Sequence, residues 1–197
     1  YPATTKRLGE IAEAGAADAD AAVRAARAAM ESPEWSGMKP AVRARLLNRL
    51  ADALEANIDE FAALETLDNG MPVRDARFFH IPHAIETLRY NAGWATKLNG
   101  ETIALSGMGD WHAYTLKEPV GVVAQIVPWN APIAMAAAKI APALAAGCAV
   151  ILKPAEETSL TALRLAHLIA EIGFPDGVFN LLTGDGEIAG AALTAHP

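Results

Sequence analysis

The sequence predicts an α/β fold in which a helical N-terminal region is followed by the first half of a doubly wound parallel sheet. Three observations support this prediction. Apolar side chains recur at helical spacing through residues 1–100, residues 101–118 have an extended pattern, and residues 119–197 alternate strand and helix patterns. Strands that alternate with helices pair in parallel through right-handed crossovers. We therefore expect three consecutive parts with these boundaries.

The first part, residues 1–100, is predicted to be mostly helical. Apolar residues three and four positions apart mark the buried face of each helix. Proline suits the first turn of a helix, and an Asn-Gly pair ends one. The predicted helices are 18–31 with Asp18 as its cap, a helix from Pro40 through Leu54, 59–68 ended by Asn69–Gly70, and a helix from Pro82 to about Leu98.

The second part, residues 101–118, is predicted to be an extended β arm. Residues 102–105 and 111–118 have the composition of two extended segments, and a turn from Ser106 to Asp110 separates them. Two short segments around a glycine-containing turn are typical of a β-hairpin.

The third part, residues 119–197, is predicted to begin the parallel sheet. Its predicted strands are 120–127, 148–152 and 178–182. The first is a continuous apolar, β-branched run, which is typical of a strand covered on both faces. Helices are predicted at 132–146 and after Thr158 or Ser159, either of which can cap the second helix. A glycine-rich turn and a further helix follow the third strand.

Composition narrows the class of ligand. The formal net charge is −7 and the pI is about 5.2. This acidic balance disfavours binding to nucleic acids or anionic membranes, because proteins that bind them present clustered Lys and Arg. A small-molecule substrate is therefore expected. Cys148 is the single cysteine, and no stretch has the order of a signal peptide, which favours a reducing, cytoplasmic compartment. The five histidines lack metal-ligand spacing, so no metal is predicted.

Candidate site residues follow the predicted strands. Ligands of an open parallel sheet bind beyond the carboxyl ends of its strands. Three segments lie at that edge, namely 128–130, 153–156 and 183–186. Asn130, Lys153 and Glu156 are therefore displayed where a dinucleotide would lie.

Each of these side chains has two interpretations. Asn130 can donate from its amide to a developing oxyanion, or it can be a turn residue before a proline. Lys153 and Glu156 suit the hydroxyls of a ribose. Alternatively, Lys153 is a solvated lysine and Glu156 is an acid at the start of a helix. Composition alone favours this second interpretation of the pair.

The glycine turn and the cysteine are weaker signals. Gly184, Gly186 and Gly190 open a helix after a strand, where glycines let the backbone approach a pyrophosphate. Their spacing is one residue longer than the usual dinucleotide fingerprint, so a simple tight turn explains them about equally well. Cys148 begins the second strand, away from the expected site, which favours a buried structural role.

Three segments together resemble the aldehyde dehydrogenase superfamily. They are EPVGVVAQIVPWNAPIAMAAAKIAPALAAGCAVILKPAEETSL (118–160), ETLDNG (65–70) and LLTGDGEIAGAALTAHP (181–197). The resemblance runs from about Pro2 to Pro197, and the PWN and KPAEETSL motifs are its specific parts. It implies a Rossmann-like NAD-binding sheet and the NAD(P)-dependent oxidation of an aldehyde through a cysteine thiohemiacetal and thioester.

The resemblance also implies roles for single residues. Asn130 corresponds to the asparagine whose amide holds the substrate oxyanion, and Lys153 and Glu156 correspond to the pair that contacts the adenosine ribose. Because Glu156 would repel a 2′-phosphate, NAD is expected rather than NADP. The other residues expected along the nucleotide are Ile126, Pro128, Trp129 and Gly186.

Some family features lie beyond these residues. The catalytic cysteine, the glutamate base and the catalytic domain are expected outside this sequence, both of whose ends look cut. We therefore expect the 197 residues alone to be inactive. Residues 101–118 look like the family's association arm, so a homodimer or homotetramer is expected. Residues 86–114 look most like members that act on arylacetaldehydes or similar aromatic or apolar aldehydes.

Two alternatives to this function stay open. The first is a truncated, catalytically inactive module that retains nucleotide binding and association. Sequence past Pro197 that carries a cysteine and a glutamate would separate it from the enzyme. The second is a CoA-acylating relative, which shares this part of the fold and differs in its product.

Overall fold

The computed structural model describes all 197 residues. Its helices are α1 (Ala16–Glu31), α2 (Pro33–Ser36), α3 (Pro40–Ala56), α4 (Ile58–Asn69), α5 (Val73–Asp75), α6 (Ile81–Trp94), α7 (Pro132–Ala146), α8 (Leu160–Ile172) and α9 (Ala191–Thr194). Two π-helical turns, Ala76–His80 and Gly186–Gly190, precede α6 and α9. The strands are β1 (Thr102–Ile103), β2 (Ala113–Tyr114), β3 (Val122–Ile126), β4 (Ala149–Lys153) and β5 (Phe179–Leu181). No helix combines the length and the apolar character that a membrane span requires.

The parallel sheet has the order β3-β4-β5, so β4 is its central strand. Val122 pairs with Ala149 at the start of the β3–β4 ladder, and Ile126 pairs with Lys153 at its end. β5 pairs in parallel with the other side of β4. This topology confirms the α/β fold class that the alternating strand and helix patterns predict.

Helices cover both faces of β4, which is buried along its whole length. Val150 and Leu152 lie in the larger core with apolar side chains of α3, α6, α7 and α8, whereas Ala149 and Ile151 lie in a second core with α1. This alternation follows from the two-residue period of a strand. The crossovers through α7 and α8 advance in one direction along the sheet, so right-handedness places both helices on one face. α1 covers the other face.

The prediction that the first strand is covered on both faces was wrong for β3. Ala124 and Ile126 are exposed, and Val120 just before the strand is 83% exposed. β3 pairs only with β4 and is therefore an edge strand of this sheet. An apolar run shows that a strand favours burial, but it does not show which strand lies at the edge.

α6 begins at Ile81 with Pro82 in its first turn, one residue before the predicted start, and helical structure from Val73 leads into it without a break. A π-helical turn precedes the proline, and the Ile81 N–H bonds to the Ala76 carbonyl. Since proline has no N–H to donate, a locally widened turn lets the helix continue through it. α6 ends at Trp94 rather than near Leu98.

α1 begins two residues earlier than the sequence predicts. Gly15 precedes the helix, and the Asp18 carboxylate accepts a hydrogen bond from the Gly15 N–H at 2.8 Å. Asp18 therefore acts from the first helical turn rather than as the cap residue. The positive end of the helix dipole also favours a carboxylate there.

Residues 101–118 contain the predicted hairpin, with strands of two residues each. Thr102 pairs antiparallel with Tyr114, and Ile103 with Ala113. Several large apolar side chains of this arm are exposed, namely Ile103, Leu105, Met108, Trp111, Tyr114 and Leu116. Concentrated exposed apolar surface is typical of an association surface.

α7 ends at Gly147, which adopts the left-handed conformation with φ of 93°. Trp35 donates from Nε1 to the Gly147 carbonyl at 2.9 Å, and Arg43 donates from Nε to the Ala145 carbonyl at 3.2 Å. These bonds satisfy carbonyls that the end of a helix leaves free. They fix the chain where it turns into β4.

Candidate active site

The ends of β3 and β4 bring two of the predicted segments together. Ile126 pairs with Lys153, and the Val127 N–H donates to the Lys153 carbonyl at 3.1 Å. β5 ends at the same edge, where the Leu182 N–H donates to the Leu152 carbonyl at 3.0 Å. All three segments that the sequence places beyond the sheet therefore share one edge.

Lys153 and Glu156 form an ion pair at this edge. The Lys153 side chain is only 1% exposed, and its Nζ lies 2.8 Å from Oε2 of Glu156, which is 45% exposed. The alternative that Lys153 is a solvated lysine is wrong, because the last residue of a central strand lies under the surrounding helices. A buried ammonium requires such a partner. The hydrogen bond from Lys153 holds the pKa of Glu156 below its usual range, so the carboxylate is ionised at neutral pH.

Gly186 lies against this ion pair. A Cβ added to Gly186 would be 3.9 Å from both Lys153 Nζ and Glu156 Oε1. Cδ1 of Ile126 lies 3.6 Å from the corresponding Cβ position of Gly190. The structure thus brings Ile126, Lys153, Glu156 and Gly186 together, as their positions after the strands suggest.

The glycine turn itself has a structural explanation. Gly184 has φ of 135°, and a Cβ there would lie 2.8 Å from the Ala14 nitrogen. That nitrogen donates to the Thr183 carbonyl at 2.9 Å, so Gly184 allows two backbone segments to approach. At the following helical turn, Asp185 accepts from the Glu187 N–H at 2.6 Å. A carboxylate of the chain therefore already takes the N–H that a pyrophosphate would use, which favours the tight-turn interpretation.

The segment after β3 is exposed. Pro128, Trp129 and Asn130 all lie at the surface, and Trp129 is 57% exposed. The Trp129 carbonyl accepts a hydrogen bond from Nδ2 of Asn69 at 2.7 Å. Asn130 is thus presented to solvent just before α7, on a backbone that α4 restrains.

An apolar groove begins beside Asn130, at Ala131, and the sequence analysis did not predict it. Its volume is about 570 Å³, and its lining consists of Phe78, Phe79, His80, His83, Ala131, Ala134 and Met135. Both phenylalanines are 60% exposed. The groove forms because the helical structure is continuous through Pro82, so the π-helical turn with Phe78 and Phe79 lies beside the start of α7. An adjacent pair of aromatic residues beside helix-breaking signals was the one available clue.

Two carboxylates of the ETLDNG motif bond to the starts of α7 and α8, which follow the segments after β3 and β4. Oε1 of the fully buried Glu65 accepts from the Ile133 N–H at 3.4 Å, and Oδ2 of Asp68 accepts from the Leu160 N–H at 2.8 Å. Burial raises the pKa of Glu65 to about 7 and also raises the pKa of Asp68. Ser159 occupies the cap position of α8, as one of the two predicted residues, but its side chain does not make the capping bond. The Ser159 hydroxyl donates to the Ala155 carbonyl, and Asp68 takes the place of the cap.

Cys148 lies outside this site. It is buried and precedes β4, whereas the ion pair follows the other end of the strand, about 16 Å away at the rise of a parallel strand. This position matches the structural role that the sequence favours. No group of three or more His, Cys, Asp or Glu side chains is arranged to hold a metal ion.

Comparison with known proteins identifies the family. Residues 1–197 match the model of the aldehyde dehydrogenase family. The chain is 50% identical over 200 residues to a phenylacetaldehyde dehydrogenase of Pseudomonas fluorescens, covering 100% of this chain and 40% of the relative. It is similar to the NAD⁺ complex of an aldehyde dehydrogenase from Bacillus cereus, with a TM-score of 0.96 and 49% identity over 99% of this chain and 39% of that one. It is also similar to the apo structure of an indole-3-acetaldehyde dehydrogenase, with a TM-score of 0.93 and 44% identity over 97% of this chain and 45% of that one.

The chain therefore belongs to the aldehyde dehydrogenase family. This result confirms the resemblance that the PWN and KPAEETSL motifs carry. The chain spans about 40% of the length of the phenylacetaldehyde dehydrogenase that it matches.

Proposed function

We propose that the protein is an NAD-dependent aldehyde dehydrogenase, which oxidises an aldehyde to a carboxylic acid. The observation that carries this proposal is the arrangement at the carboxyl edge of the sheet. There the Lys153–Glu156 pair follows β4, the exposed Asn130 follows β3, and the apolar groove is lined by Ala131, the residue after Asn130. These features correspond to a cofactor site, an oxyanion donor and a substrate site.

The Lys153–Glu156 pair suits the adenosine ribose of a nicotinamide dinucleotide. An ionised carboxylate can accept from two neighbouring hydroxyls, and an ammonium group can donate to one. Gly186 leaves space beside both charged groups. The remaining residues proposed to lie along the nucleotide are Ile126, Pro128 and Trp129. When bound, NAD supplies the hydride acceptor of the reaction.

Glu156 favours NAD over NADP. Its carboxylate is ionised and nearly half exposed, beside the position proposed for the ribose. A 2′-phosphate on that ribose would bring like charges together, which disfavours binding. NAD has a hydroxyl at the same position, and this hydroxyl can donate to the carboxylate.

Asn130 supplies the electrostatic part of the chemistry. Negative charge develops on the aldehyde oxygen as a nucleophile attacks the carbonyl carbon, and a fixed amide donor stabilises that charge. Cys148 is buried at the opposite end of β4 and does not provide the thiolate. We expect the attacking cysteine and the glutamate base that activates water to come from outside these residues.

The apolar groove indicates an aromatic or apolar aldehyde. Phe78, Phe79 and Met135 give it an aromatic and polarisable lining, which suits a flat apolar side chain. Two similar proteins are named for phenylacetaldehyde and indole-3-acetaldehyde. Both names agree with an arylacetaldehyde as substrate.

The exposed arm at residues 101–118 suggests a homodimer or homotetramer. Its apolar side chains, including Trp111 and Leu116, are exposed in the single chain and would be covered by a second subunit. A reducing, cytoplasmic location agrees with the single, buried Cys148.

The test is NADH formation by the enzyme expressed from its complete coding sequence, with product analysis. We expect carboxylic acid as product, and kcat/KM at least about tenfold higher for phenylacetaldehyde than for short aliphatic aldehydes. NAD binding without turnover of any aldehyde would indicate an inactive module. An acyl-CoA product that requires added CoA would indicate an acylating relative. Either result would contradict the proposal.

A further inference from the structure

We infer that the last turn of α4, residues 65–69, positions both loops of the proposed active site. Glu65, Asp68 and Asn69 are polar residues on one helical turn, and each bonds to a different point of the chain after β3 or β4. They act through these loops and are therefore positioning residues. The inference rests on the proposed function, because it assigns these residues to the reaction of Asn130 and the ion pair.

The loop after β3 is held on both sides of Asn130. Asn69 donates from Nδ2 to the carbonyl of Trp129, the residue just before Asn130, at 2.7 Å. Glu65 accepts from the N–H of Ile133, three residues after Asn130, at 3.4 Å. α7 has no side-chain cap of its own, so Glu65 supplies the acceptor for its first turn. These two bonds restrain the backbone on either side of Asn130.

The loop after β4 is held by the same helical turn. Asp68 accepts from the N–H of Leu160, the first residue of α8, at 2.8 Å. α8 also lacks a side-chain cap of its own. Asp68 thus fixes the end of the short loop that carries Glu156. The negative charge is also favourable at the positive end of the α8 dipole.

One rigid turn therefore sets the distance between the two loops. The Asn130 amide and the Lys153–Glu156 pair follow different strands, and the bonds to α4 connect their loops outside the sheet. Catalysis is sensitive to such spacing, since a displacement of about 1 Å can lower a rate roughly a hundredfold. The two loops serve different steps, so the three polar residues should have separable kinetic effects.

The experiment compares Asn69→Ala with Asp68→Ala in the enzyme expressed from its complete coding sequence. Asn69→Ala should lower kcat roughly tenfold, because it frees the peptide before Asn130, and should leave KM for NAD within about twofold. Asp68→Ala should raise KM for NAD roughly five- to tenfold, with a smaller change in kcat. Asp68→Asn keeps an acceptor oxygen and should restore KM for NAD to within about twofold of the parent.

Matched controls lie away from both loops and from the groove. Asn57 donates from Nδ2 to the Ala53 carbonyl at 2.8 Å, and the exposed Asp52 of α3 pairs with Arg89 at 3.0 Å. Asn57→Ala and Asp52→Ala remove the same chemical groups without touching either loop. Both variants should keep the kcat and KM of the parent enzyme.

A purely structural role would lower the thermal midpoint and leave the kinetic constants unchanged. If Asn69→Ala and Asp68→Ala behave in that way, the positioning inference is wrong. Asn69 is partly exposed, so its alanine variant should fold and keep the test informative even if Asp68→Ala does not accumulate.

The failure of the proposed function is a separate outcome, in which the parent enzyme oxidises no aldehyde. Hydrogen exchange then still tests the positioning. Exchange of residues 128–135 should rise in Asn69→Ala and stay unchanged in Asn57→Ala. Equal exchange in the two variants would refute the inference.

Discussion

Replacing Glu65 by glutamine tests how ionisation of the buried carboxyl of α4 affects the stability of the fold. Glu65 is fully buried, its Oε1 accepts from Ile133, and its Oε2 has no hydrogen-bond partner. Burial raises its pKa from 4.5 to about 7, and the neighbouring Asp68 carboxylate adds to the rise. Glutamine has nearly the same shape, carries no charge, and keeps an oxygen that can accept from the Ile133 N–H.

The sign of the pH effect follows from the raised pKa. Well below pH 4.5 the carboxyl is protonated in both the folded and the unfolded chain, so it adds no pH dependence to the free energy of unfolding. Between pH 4.5 and about 7 the unfolded chain releases the proton while the folded chain retains it, so stability falls as the pH rises. The full shift corresponds to roughly 3 kcal/mol, of which roughly 2–3 kcal/mol falls between pH 5 and pH 8.

Thermal unfolding at pH 5 and pH 8 measures this difference. For an unfolding unit of roughly 150–250 residues, Glu65→Gln should gain roughly 5–10 °C in Tm relative to the parent as the pH rises from 5 to 8. Glu86 is 74% exposed, so Glu86→Gln serves as the control for the same chemical change and should show no such gain. A Tm difference between Glu65→Gln and the parent that stays constant from pH 5 to pH 8 would refute the raised pKa and the burial argument behind it.

Three further predictions concern the proposed site and the backbone. Asn130→Ala in the complete enzyme should lower kcat by roughly two to three orders of magnitude while KM changes little, because an oxyanion donor acts in the transition state. Near-normal turnover in steady-state assays would show that Asn130 is not the oxyanion donor. Glu156→Gln should raise the ratio of kcat/KM for NADP to kcat/KM for NAD. An unchanged ratio would show that the Glu156 carboxylate does not act on the 2′ position of the ribose. Gly173→Ala should lower the free energy of unfolding, measured in urea, by about 1–2 kcal/mol, because φ is +90° and no neighbouring atom crowds the added Cβ. Gly177→Ala should lower the free energy of unfolding by roughly 3 kcal/mol or more, because the added Cβ would also lie 2.5 Å from the Ala25 carbonyl oxygen. An equal loss in the two variants would exclude crowding as the cause.

The cap of α8 shows where sequence reasoning fails. Ser159 precedes the helix and has the residue type of a cap, yet its hydroxyl bonds to the Ala155 carbonyl. Asp68 supplies the acceptor from a position 92 residues away in the chain. Local patterns show that a helix start needs an acceptor, but they do not show which element provides it.

The same limit applies to Lys153 and to the groove. Lys153 ends an apolar strand, and its sequence neighbours do not show whether its ammonium lies in solvent or under a helix. The structure buries it beside Glu156 because β4 is the central strand. The groove joins residues 78–83 to the start of α7, more than forty positions later. No periodicity in the sequence connects these two segments.

The sequence by itself determined the fold class, the order of the strands and helices, and the edge of the sheet where Asn130, Lys153 and Glu156 lie. These features depend on hydrophobic period and chain direction, which are local properties, and on the rule that parallel strands end at one edge. Tertiary structure alone decided that β3 is an edge strand, that Lys153 is buried, and that Glu65, Asp68 and Asn69 hold the loops after β3 and β4. The reason is physical: burial and hydrogen bonding depend on which distant segments pack together, and the bonds of Glu65 and Asp68 join residues 68 and 92 positions apart.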